Sequence, residues 1–453
     1  MDQILYLSWQ TQSVQNKKHG KCIAFWDKNL LQNVGGYFND GYKQGLWKDF
    51  FINFSNWALV FEIGEYQNDL RIGSWMYQCY EQRIGGGLYN RYGQKQGKWL
   101  DLDSGFHNYK QVIYHGEYNM NGRKIGIWDI MYDNRNGKGY KLIGGGLYDQ
   151  EGNQKKIGKW VELNEGFQKS FQVIYKGKYA MNGMKVGRWD IMYRKQDEKE
   201  YKQIGGGSYD QEGIEQKIGK WVELDDGFGD VKQVTLTGQY NMNGMKIGQW
   251  DAFWIGGKLI MRNICGGGSY DQKGNQQKIG RWIELDEGFC KLKFVTWNGE
   301  YNQDSIKIGR WNTMYRRYNE QKYKQMVYSG GGSYDQEGNQ QKIGQWIELD
   351  ERFNFEKQVT YNGEYNQNGI KVGRWDIMFD YGDGKGYKLI GGGSYDQKGN
   401  QKMIGNWVQL DDWFKWDKQI IYNGEYNMKG KKVGTWIEMD IMENRKLREM
   451  KYN

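Results

Sequence analysis

The stretch that decides the fold is residues 358–379, which read Gln-Val-Thr-Tyr-Asn-Gly-Glu-Tyr-Asn-Gln-Asn-Gly-Ile-Lys-Val-Gly-Arg-Trp-Asp-Ile-Met-Phe. Before the turn at Asn368 and Gly369, Val, Tyr, Gly and Tyr occupy alternate positions and share one face of a strand. After the turn, Trp375 and every second residue to Phe379 continue this face. Two alternating segments around an Asn-Gly turn predict a β-hairpin with one aromatic face and one mostly polar face.

The same half-unit recurs along the chain, so the sequence is that of a repeat array. Most half-units carry Gly-x-Tyr, a polar turn and Lys-x-Gly-x-Trp, and every second one begins with three glycines or a worn version of that run. The tryptophans that end the triple-glycine form are Trp47, Trp99, Trp160, Trp221, Trp282, Trp346 and Trp407, and those that end the other form are Trp75, Trp128, Trp189, Trp250, Trp311, Trp375 and Trp436. We expect residues 31–453 to form a continuous array of seven double-hairpin repeats of about 61 residues, after a degenerate repeat or cap over residues 1–30.

The composition favours strands over helices. The 453 residues include no proline, 66 glycines, 35 tyrosines and 21 tryptophans, a mixture of strand formers and turn residues. Only 38% of residues are hydrophobic, so thin sheets held by aromatic rings fit better than a thick core. The prediction is an all-β chain that forms an elongated antiparallel sheet of tandem hairpins. A seven-bladed β-propeller with 61-residue blades is the alternative.

Tyrosine, tryptophan and glycine of each repeat are predicted to form its structural core, because a glycine leaves room for a ring to lie flat on the backbone. The central core residues are Tyr148, Trp160, Tyr179, Trp189, Tyr209, Trp221, Tyr240, Trp250, Tyr270 and Trp282. After the triple-glycine form, Val161-Glu162-Leu163 and its copies also place apolar residues on the face opposite tryptophan. Either a bulge changes the register there, or every second hairpin is covered on both faces.

The core pattern Gly-Glu-Tyr-x-x-x-Gly-x-Lys-x-Gly-x-Trp resembles the MORN repeat, especially its variant form. The segments that carry the resemblance are residues 116–128, 177–189, 238–250, 363–375 and 424–436. The chain departs from that family at Leu70 and Ser305, which replace the turn glycine, and in its longer unit and its triple glycine. The resemblance implies an elongated sheet of hairpins that acts as a protein scaffold or attaches to membranes, without enzymatic activity.

No motif for catalysis, metal binding or cofactor binding stands out, and we expect none of these. The glycine runs, such as residues 205–207, do not spell a P-loop and do not open a helix. Neither the three histidines nor the four cysteines recur with the repeat, so the cysteines are expected to be reduced. The acidic pairs belong to a recurring loop signature, Leu-Asp-Glu-Gly-Phe, better than to the two carboxylates of a glycosidase. Its phenylalanines, which are expected to anchor the loops, include Phe167, Phe228 and Phe289.

One set of lysines is predicted to form a row along the turn edge, about 10 Å apart with two strands per lysine. These are Lys124, Lys156, Lys185, Lys217, Lys246, Lys278, Lys307, Lys342, Lys371 and Lys432. The row would suit anionic lipid headgroups. The alternative interpretation is that the lysines solvate the turns and discourage aggregation.

The functional prediction is a non-enzymatic repeat scaffold for protein–protein interaction, at a membrane or cytoskeletal surface. Protein partners and anionic lipid are expected, and the net charge of +9 permits an anionic partner. Nucleic acid and small-molecule substrates are not expected, and the chain is expected to be cytoplasmic because no secretory or membrane-spanning pattern is found. The alternative is a carbohydrate- or phosphoinositide-binding module, in which exposed aromatic rings stack on sugars.

Overall fold

The computed structural model describes residues 5–135, 137–196, 198–255, 263–316, 324–325, 330–383 and 385–453. These residues form 32 β-strands and divide into two compact units, Met1–Ile218 and Gly219–Asn453. The boundary between the units lies inside one strand, β16 (Lys217–Leu224).

The first unit begins with two strands from the predicted cap and continues through three double hairpins and one further strand. Its strands are β1 (Leu7–Val14), β2 (Lys17–Trp26), β3 (Asn29–Asn39), β4 (Tyr42–Phe50), β5 (Val60–Gln67), β6 (Leu70–Cys79), β7 (Gln82–Tyr89), β8 (Lys95–Leu102), β9 (Gln111–Tyr118), β10 (Lys124–Asp133), β11 (Lys141–Tyr148), β12 (Lys156–Leu163), β13 (Gln172–Tyr179), β14 (Lys185–Arg194) and β15 (Lys202–Tyr209).

The second unit continues the same order of strands. They are β17 (Val234–Tyr240), β18 (Lys246–Trp254), β19 (Asn263–Tyr270), β20 (Lys278–Leu285), β21 (Phe294–Tyr301), β22 (Lys307–Arg316), β23 (Lys324–Gln325), β24 (Gly331–Tyr334), β25 (Lys342–Leu349), β26 (Val359–Tyr365), β27 (Lys371–Asp380), β28 (Tyr387–Tyr395), β29 (Met403–Leu410), β30 (Ile420–Tyr426), β31 (Lys432–Asp440) and β32 (Arg445–Tyr452).

Within each unit the strands pair antiparallel in chain order, as tandem hairpins require. In the first unit each strand from β1 to β14 pairs with the next. In the second unit β16 begins the series, and β22 pairs with both β23 and β24. The pairing also crosses from one 61-residue repeat to the next, whereas the blades of a propeller are separate sheets. The prediction of an all-β chain of tandem antiparallel hairpins is confirmed.

Thirteen repeat tryptophans, from Trp47 to Trp436 and without Trp221, lie flat on a glycine of the preceding strand. A Cβ at Gly146 or Gly177 would overlap the ring of Trp160 or Trp189. The indole is also held from its edge, since Trp160 Nε1 donates a hydrogen bond to the carbonyl of Leu147 at 3.0 Å. The tryptophans are buried although each sheet is thin, because neighbouring rings and side chains cover the outer side of each indole. At these positions the indole ring therefore packs between the glycine of the preceding strand and the neighbouring side chains.

Each of the three glycines of β11 is required for a different structural reason. A Cβ at Gly144 would meet the carbonyl of Val161 at 2.7 Å, and Gly146 carries the tryptophan ring. Gly145 has φ of +120°, and a Cβ there would overlap the carbonyl of Trp128. Only glycine satisfies all three positions.

The register shift between β10 and β11 leaves Ile143, the residue before the triple glycine, without a partner in β10, whereas β12 and β13 pair without a shift after Trp160. The apolar residues after Trp160 are explained by a second packed cluster. Val161 and Leu163 pack in it with buried Ile174 and with Phe167 of the following loop. Both faces of this part of the sheet are therefore covered near the loops, and no bulge changes the register after the tryptophan.

Candidate interaction surfaces

The predicted core residues form an aromatic ladder, which we define as the alternating tyrosines and tryptophans on one face of each unit. In the first unit Tyr148 and Trp160 lie 5.1 Å apart between ring centroids, Trp160 and Tyr179 6.2 Å, and Tyr179 and Trp189 5.2 Å. All three pairs meet edge to face, the geometry that aromatic quadrupoles favour. Trp221, Tyr240, Trp250, Tyr270 and Trp282 continue the pattern in the second unit.

The predicted lysine row lies against this ladder. Lys156 Nζ is 4.9 Å from the ring centre of Trp160, and Lys185 Nζ is 4.6 Å from that of Trp189. The same lysine-over-tryptophan contact recurs at Lys124, Lys246, Lys278, Lys307, Lys342, Lys371 and Lys432, at 4.0–4.7 Å. Lys217, the first residue of β16, occupies the same position in its repeat. The ammonium groups thus take part in cation–π contacts with the ladder.

A glutamate two residues after tryptophan binds two of these lysines from neighbouring hairpins. Glu162 forms ion pairs with Lys156 and, at 3.5 Å, with Lys185, and it accepts a hydrogen bond from the Tyr179 hydroxyl at 2.7 Å. Equivalent groups form around Glu284 with Lys278 and Lys307, and around Glu348 with Lys342 and Lys371. We call each such group a lysine–glutamate cluster.

The clusters shift the pKa of their members in opposite directions. Burial alone would raise the pKa of Glu162, but the hydrogen bond and charge of Lys156, with help from Tyr179 and Lys185, lower it below its ordinary value. Burial and the adjacent glutamate charge raise the pKa of the Tyr179 hydroxyl. The cluster therefore holds an ionised glutamate and neutral tyrosine at neutral pH.

Two lysines of the row lack a carboxylate partner. Lys124 and Lys432 form no ion pair within the residues that the structure describes, and burial lowers the pKa of both. In the repeat that ends with Lys432, Gln409 takes the position of the cluster glutamate (Glu162 in the first unit). Met403 takes the position of the first lysine (Lys156 in the first unit). The Gln409 amide accepts from the Tyr426 hydroxyl at 3.2 Å and donates to the Met403 sulfur at 3.5 Å. In this repeat the glutamate and the first lysine of the cluster are thus both replaced by uncharged residues.

Sequence reasoning singled out the lysines but missed their glutamate partners and the equivalent Lys43, Lys95 and Arg71. The signal was available as Lys-x-Gly-x-Trp-x-Glu in four of the triple-glycine half-units. A role for the lysines in binding anionic lipid stays a prediction. It would compete with the ion pairs that most of these side chains form inside the sheet.

The acidic connecting loops are anchored by their phenylalanines. Phe167 and Phe289 are buried, and Phe228 is half-buried. The first carboxylate of each loop is also fixed: Asp350 accepts from the Tyr361 hydroxyl at 2.9 Å and pairs with Lys357 at 2.9 Å. These contacts identify the acidic residues as structural members of the loop.

Successive loops are joined to each other by backbone hydrogen bonds, which we call the loop ladder. In the first unit Asn108 N–H donates to the Trp57 carbonyl at 3.0 Å, and Lys169 N–H donates to the Tyr109 carbonyl at 2.8 Å. In the second unit Trp416 N–H donates to the Glu356 carbonyl at 3.1 Å. The loop ladder links positions about 60 residues apart and gives the loops a defined order.

Large aromatic side chains project from the loop ladder. In the second unit Phe355 is 55% exposed, Trp413 68% and Trp416 56%. Arg352 joins their loops, because its Nη1 donates to the carbonyl of Asp412 at 2.8 Å and its guanidinium stacks 4.9 Å from the Trp413 ring centre. We call Phe355, Trp413, Trp416 and Arg352 the aromatic platform. In the first unit, Trp57 and Tyr109 are exposed at 6.1 Å from each other.

The described residues contain no group of His, Cys, Asp and Glu suited to a metal ion, and none of their helices is long and apolar enough to cross a membrane. Of the histidines, His107 accepts a hydrogen bond from the backbone of Tyr109 at 3.0 Å in its loop. Cys22, Cys79, Cys265 and Cys290 form no disulfide, and Cys22 and Cys265 are buried.

No family model and no curated protein matches this chain. Among solved structures it is matched to an alpha-L-arabinanase from Penicillium chrysogenum in complex with arabinobiose, at 10% identity over 77% of this chain and 98% of that one, with a TM-score of 0.16. A mutant alpha-L-arabinofuranosidase from Fusarium graminearum with an iminosugar inhibitor matches at 9% identity over 76% of this chain and 97% of that one, with a TM-score of 0.19. At these TM-scores the matches carry no argument about fold or activity.

Proposed function

We propose that this protein is a non-enzymatic scaffold that binds another protein through the aromatic platform. The observation that supports this most directly is the combination of exposure and order in Phe355, Trp413 and Trp416. Exposed large aromatics are expected to be costly unless a partner covers them, and Trp, Tyr and Arg dominate the energetics of protein interfaces. Because Arg352 and the loop ladder already hold the loops together, little conformational entropy is lost on binding.

The charge around the platform favours a protein over an anionic membrane. Residues 350–357 and 411–418 together contain six acidic and four basic residues. A surface with an excess of carboxylates is repelled by anionic headgroups, whereas it complements a basic patch on a protein. The proposed partner is therefore a protein that presents an apolar pocket with basic residues at its rim.

The test compares the full chain with a platform variant, Phe355→Ala, Trp413→Ala and Trp416→Ala. The matched control carries Met120→Ala, Met181→Ala and Met242→Ala, which removes exposed apolar surface from hairpin turns. A protein recovered by affinity purification is then purified and titrated against all three chains by calorimetry. We expect the platform variant to lose at least tenfold in affinity and the control to bind like the native chain.

Equal binding by the platform variant would refute this proposal. Binding of the native chain to glycans or to phosphoinositide vesicles, lost in the platform variant, would instead assign the platform to the alternative module. The control variant separates a specific surface from general apolar adhesion, since both variants remove three exposed apolar side chains.

A further inference from the structure

A cleft of about 880 Å³ lies over the triple glycine of β11, in the first unit. Gly144, Gly145 and Gly146 line it, so part of its floor is bare backbone. Ile127 and Leu142 line its apolar side and remain 69% and 62% exposed. The volume is that of a typical site for a small organic ligand.

Comparison with the next repeat shows what makes this cleft apolar. There Asp190 is bound by Arg188 at 2.8 Å and by the Gln203 amide at 2.8 Å. Ile127 and Leu142 occupy the positions of Arg188 and Gln203, one residue before the ladder tryptophan and two residues before the triple glycine. Both polar partners of the aspartate are thus replaced by aliphatic side chains in the same repeat.

One end of the cleft contains hydrogen-bond donors that have no acceptor. The hydroxyls of Tyr132 and Tyr201 are buried without a hydrogen-bond partner within the described part of the chain, and both residues line the cleft. Tyr132 is buried as a whole, with its ring against Phe167. A buried hydroxyl without a partner is costly, and a ligand acceptor would remove that cost.

The charged groups along the cleft are mostly positive. Lys141, Lys159, Lys176 and Arg194 line it, and Asp129 is the acid among the lining residues. None of the four basic residues forms an ion pair within the described residues, and Arg194 bonds instead to the neutral amide of Gln172. The guanidinium stacks 4.6 Å from the ring centre of Tyr201, the residue that carries the second of these two hydroxyls.

We propose that this cleft binds a small amphipathic anion, an alkyl chain that ends in a carboxylate. The chain lies along Ile127 and Leu142 over the glycine floor, where no Cβ obstructs it. The carboxylate accepts hydrogen bonds from the Tyr132 and Tyr201 hydroxyls and pairs with Arg194. This ligand differs from the protein partner proposed above and uses none of the platform residues.

The first test is calorimetric titration of the full chain with decanoate below its micelle concentration. Three control probes each change one property of decanoate. Decanol lacks the charge, acetate lacks the alkyl chain, and decyltrimethylammonium carries the opposite charge. We expect decanoate to bind at least tenfold more tightly than each of the three. Decanol binding as tightly as decanoate, or no binding of octanoate, decanoate or dodecanoate, would overturn the proposal.

The second test uses variants at exposed positions that are expected to leave the fold intact. Ile127→Arg and Leu142→Gln restore the polar residues of the next repeat and are expected to weaken decanoate binding at least tenfold. Leu389→Gln is the control, because Leu389 is 57% exposed and takes the position of Leu142 in a repeat of the second unit. Unchanged binding in both test variants, or an equal loss in the control, would contradict the assignment.

The tyrosines provide a readout that a structural role would not produce. In Tyr132→Phe and Tyr201→Phe we expect decanoate affinity to fall at least fivefold, while the melting temperature of the unliganded protein stays constant or rises. If the hydroxyls were structural, the melting temperature would fall and the affinity of the folded protein would not change.

Discussion

At the scale of single residues, each position of Lys-x-Gly-x-Trp has a separate physical task. The tryptophan covers a glycine of the preceding strand, and the lysine covers the tryptophan. The glycine between them, Gly158 in one repeat, has φ of +69°, which an L-residue adopts only with strain. The motif is therefore kept by sterics and backbone conformation, without reference to a ligand.

Replacing a glycine beneath a tryptophan should destabilise the protein much more than replacing the glycine of the motif. For Gly177→Ala we expect a loss of about 3 kcal/mol or more in the free energy of unfolding, because the methyl group would overlap the ring of Trp189. For Gly158→Ala about 1 kcal/mol is expected, since a Cβ there meets nothing within 4 Å and only backbone strain remains. Urea denaturation followed by tryptophan fluorescence measures both. Equal losses would show that the ring does not rest on the glycine.

At the scale of elements, the lysine–glutamate cluster connects neighbouring hairpins. Glu162 from β12 binds Lys185 from β14, with Tyr179 of β13 between them. In the repeat with Met403 and Gln409, the first lysine and the glutamate are both replaced by uncharged residues, which contact each other. A coupled pair of this kind predicts non-additive mutational effects.

The prediction concerns Lys156→Met and Glu162→Gln, singly and combined. Lys156→Met leaves the half-buried Glu162 with only the more distant Lys185 as its ion-pair partner. We expect this variant to lose about 1–2 kcal/mol in the free energy of unfolding. The double variant should recover most of that loss. Chemical denaturation of the four chains gives the coupling energy directly. The pair Arg188→Met and Asp190→Asn serves as an exposed control, for which we expect coupling below about 0.5 kcal/mol. Additive losses at the cluster would refute the coupling.

The sequence was sufficient to predict the hairpins, their order and the Trp-Tyr-Gly core. Those features depend on the two-residue period of a strand and on spacings within about 30 residues, as in residues 358–379. The partner of Lys185 could not be derived in the same way, because Glu162 reaches it across an intervening strand. The loop ladder and the unpartnered Tyr132 hydroxyl depend on contacts between different repeats, which no local pattern encodes.

At the scale of the whole molecule, lysine–glutamate clusters occur in both units. The contributions that their ionised glutamates make to stability therefore add up. Glu162, Glu284 and Glu348 all have a pKa lowered by their lysines despite burial. The ladder tyrosines have a raised pKa, chiefly through burial, as at Tyr179, Tyr301 and Tyr365. A repeat array need not unfold in one step, so the melting profile is the appropriate measure.

We expect the melting temperature to be nearly constant between about pH 5 and 9.5 and to fall at both ends. A lowered glutamate pKa gives stability that is present above the unfolded value of about 4.3 and lost as the pH falls through the folded pKa. A raised tyrosine pKa gives stability that is present below about pH 10 and lost as the pH rises. Scanning calorimetry from pH 3 to 11 measures this, with phenolate absorbance expected to appear only on unfolding for the ladder tyrosines. The double variant Lys156→Met with Glu162→Gln should lose less stability in acid than the native chain. A melting temperature that stayed constant down to pH 3 would mean that the glutamates of the clusters are not held ionised by their lysines.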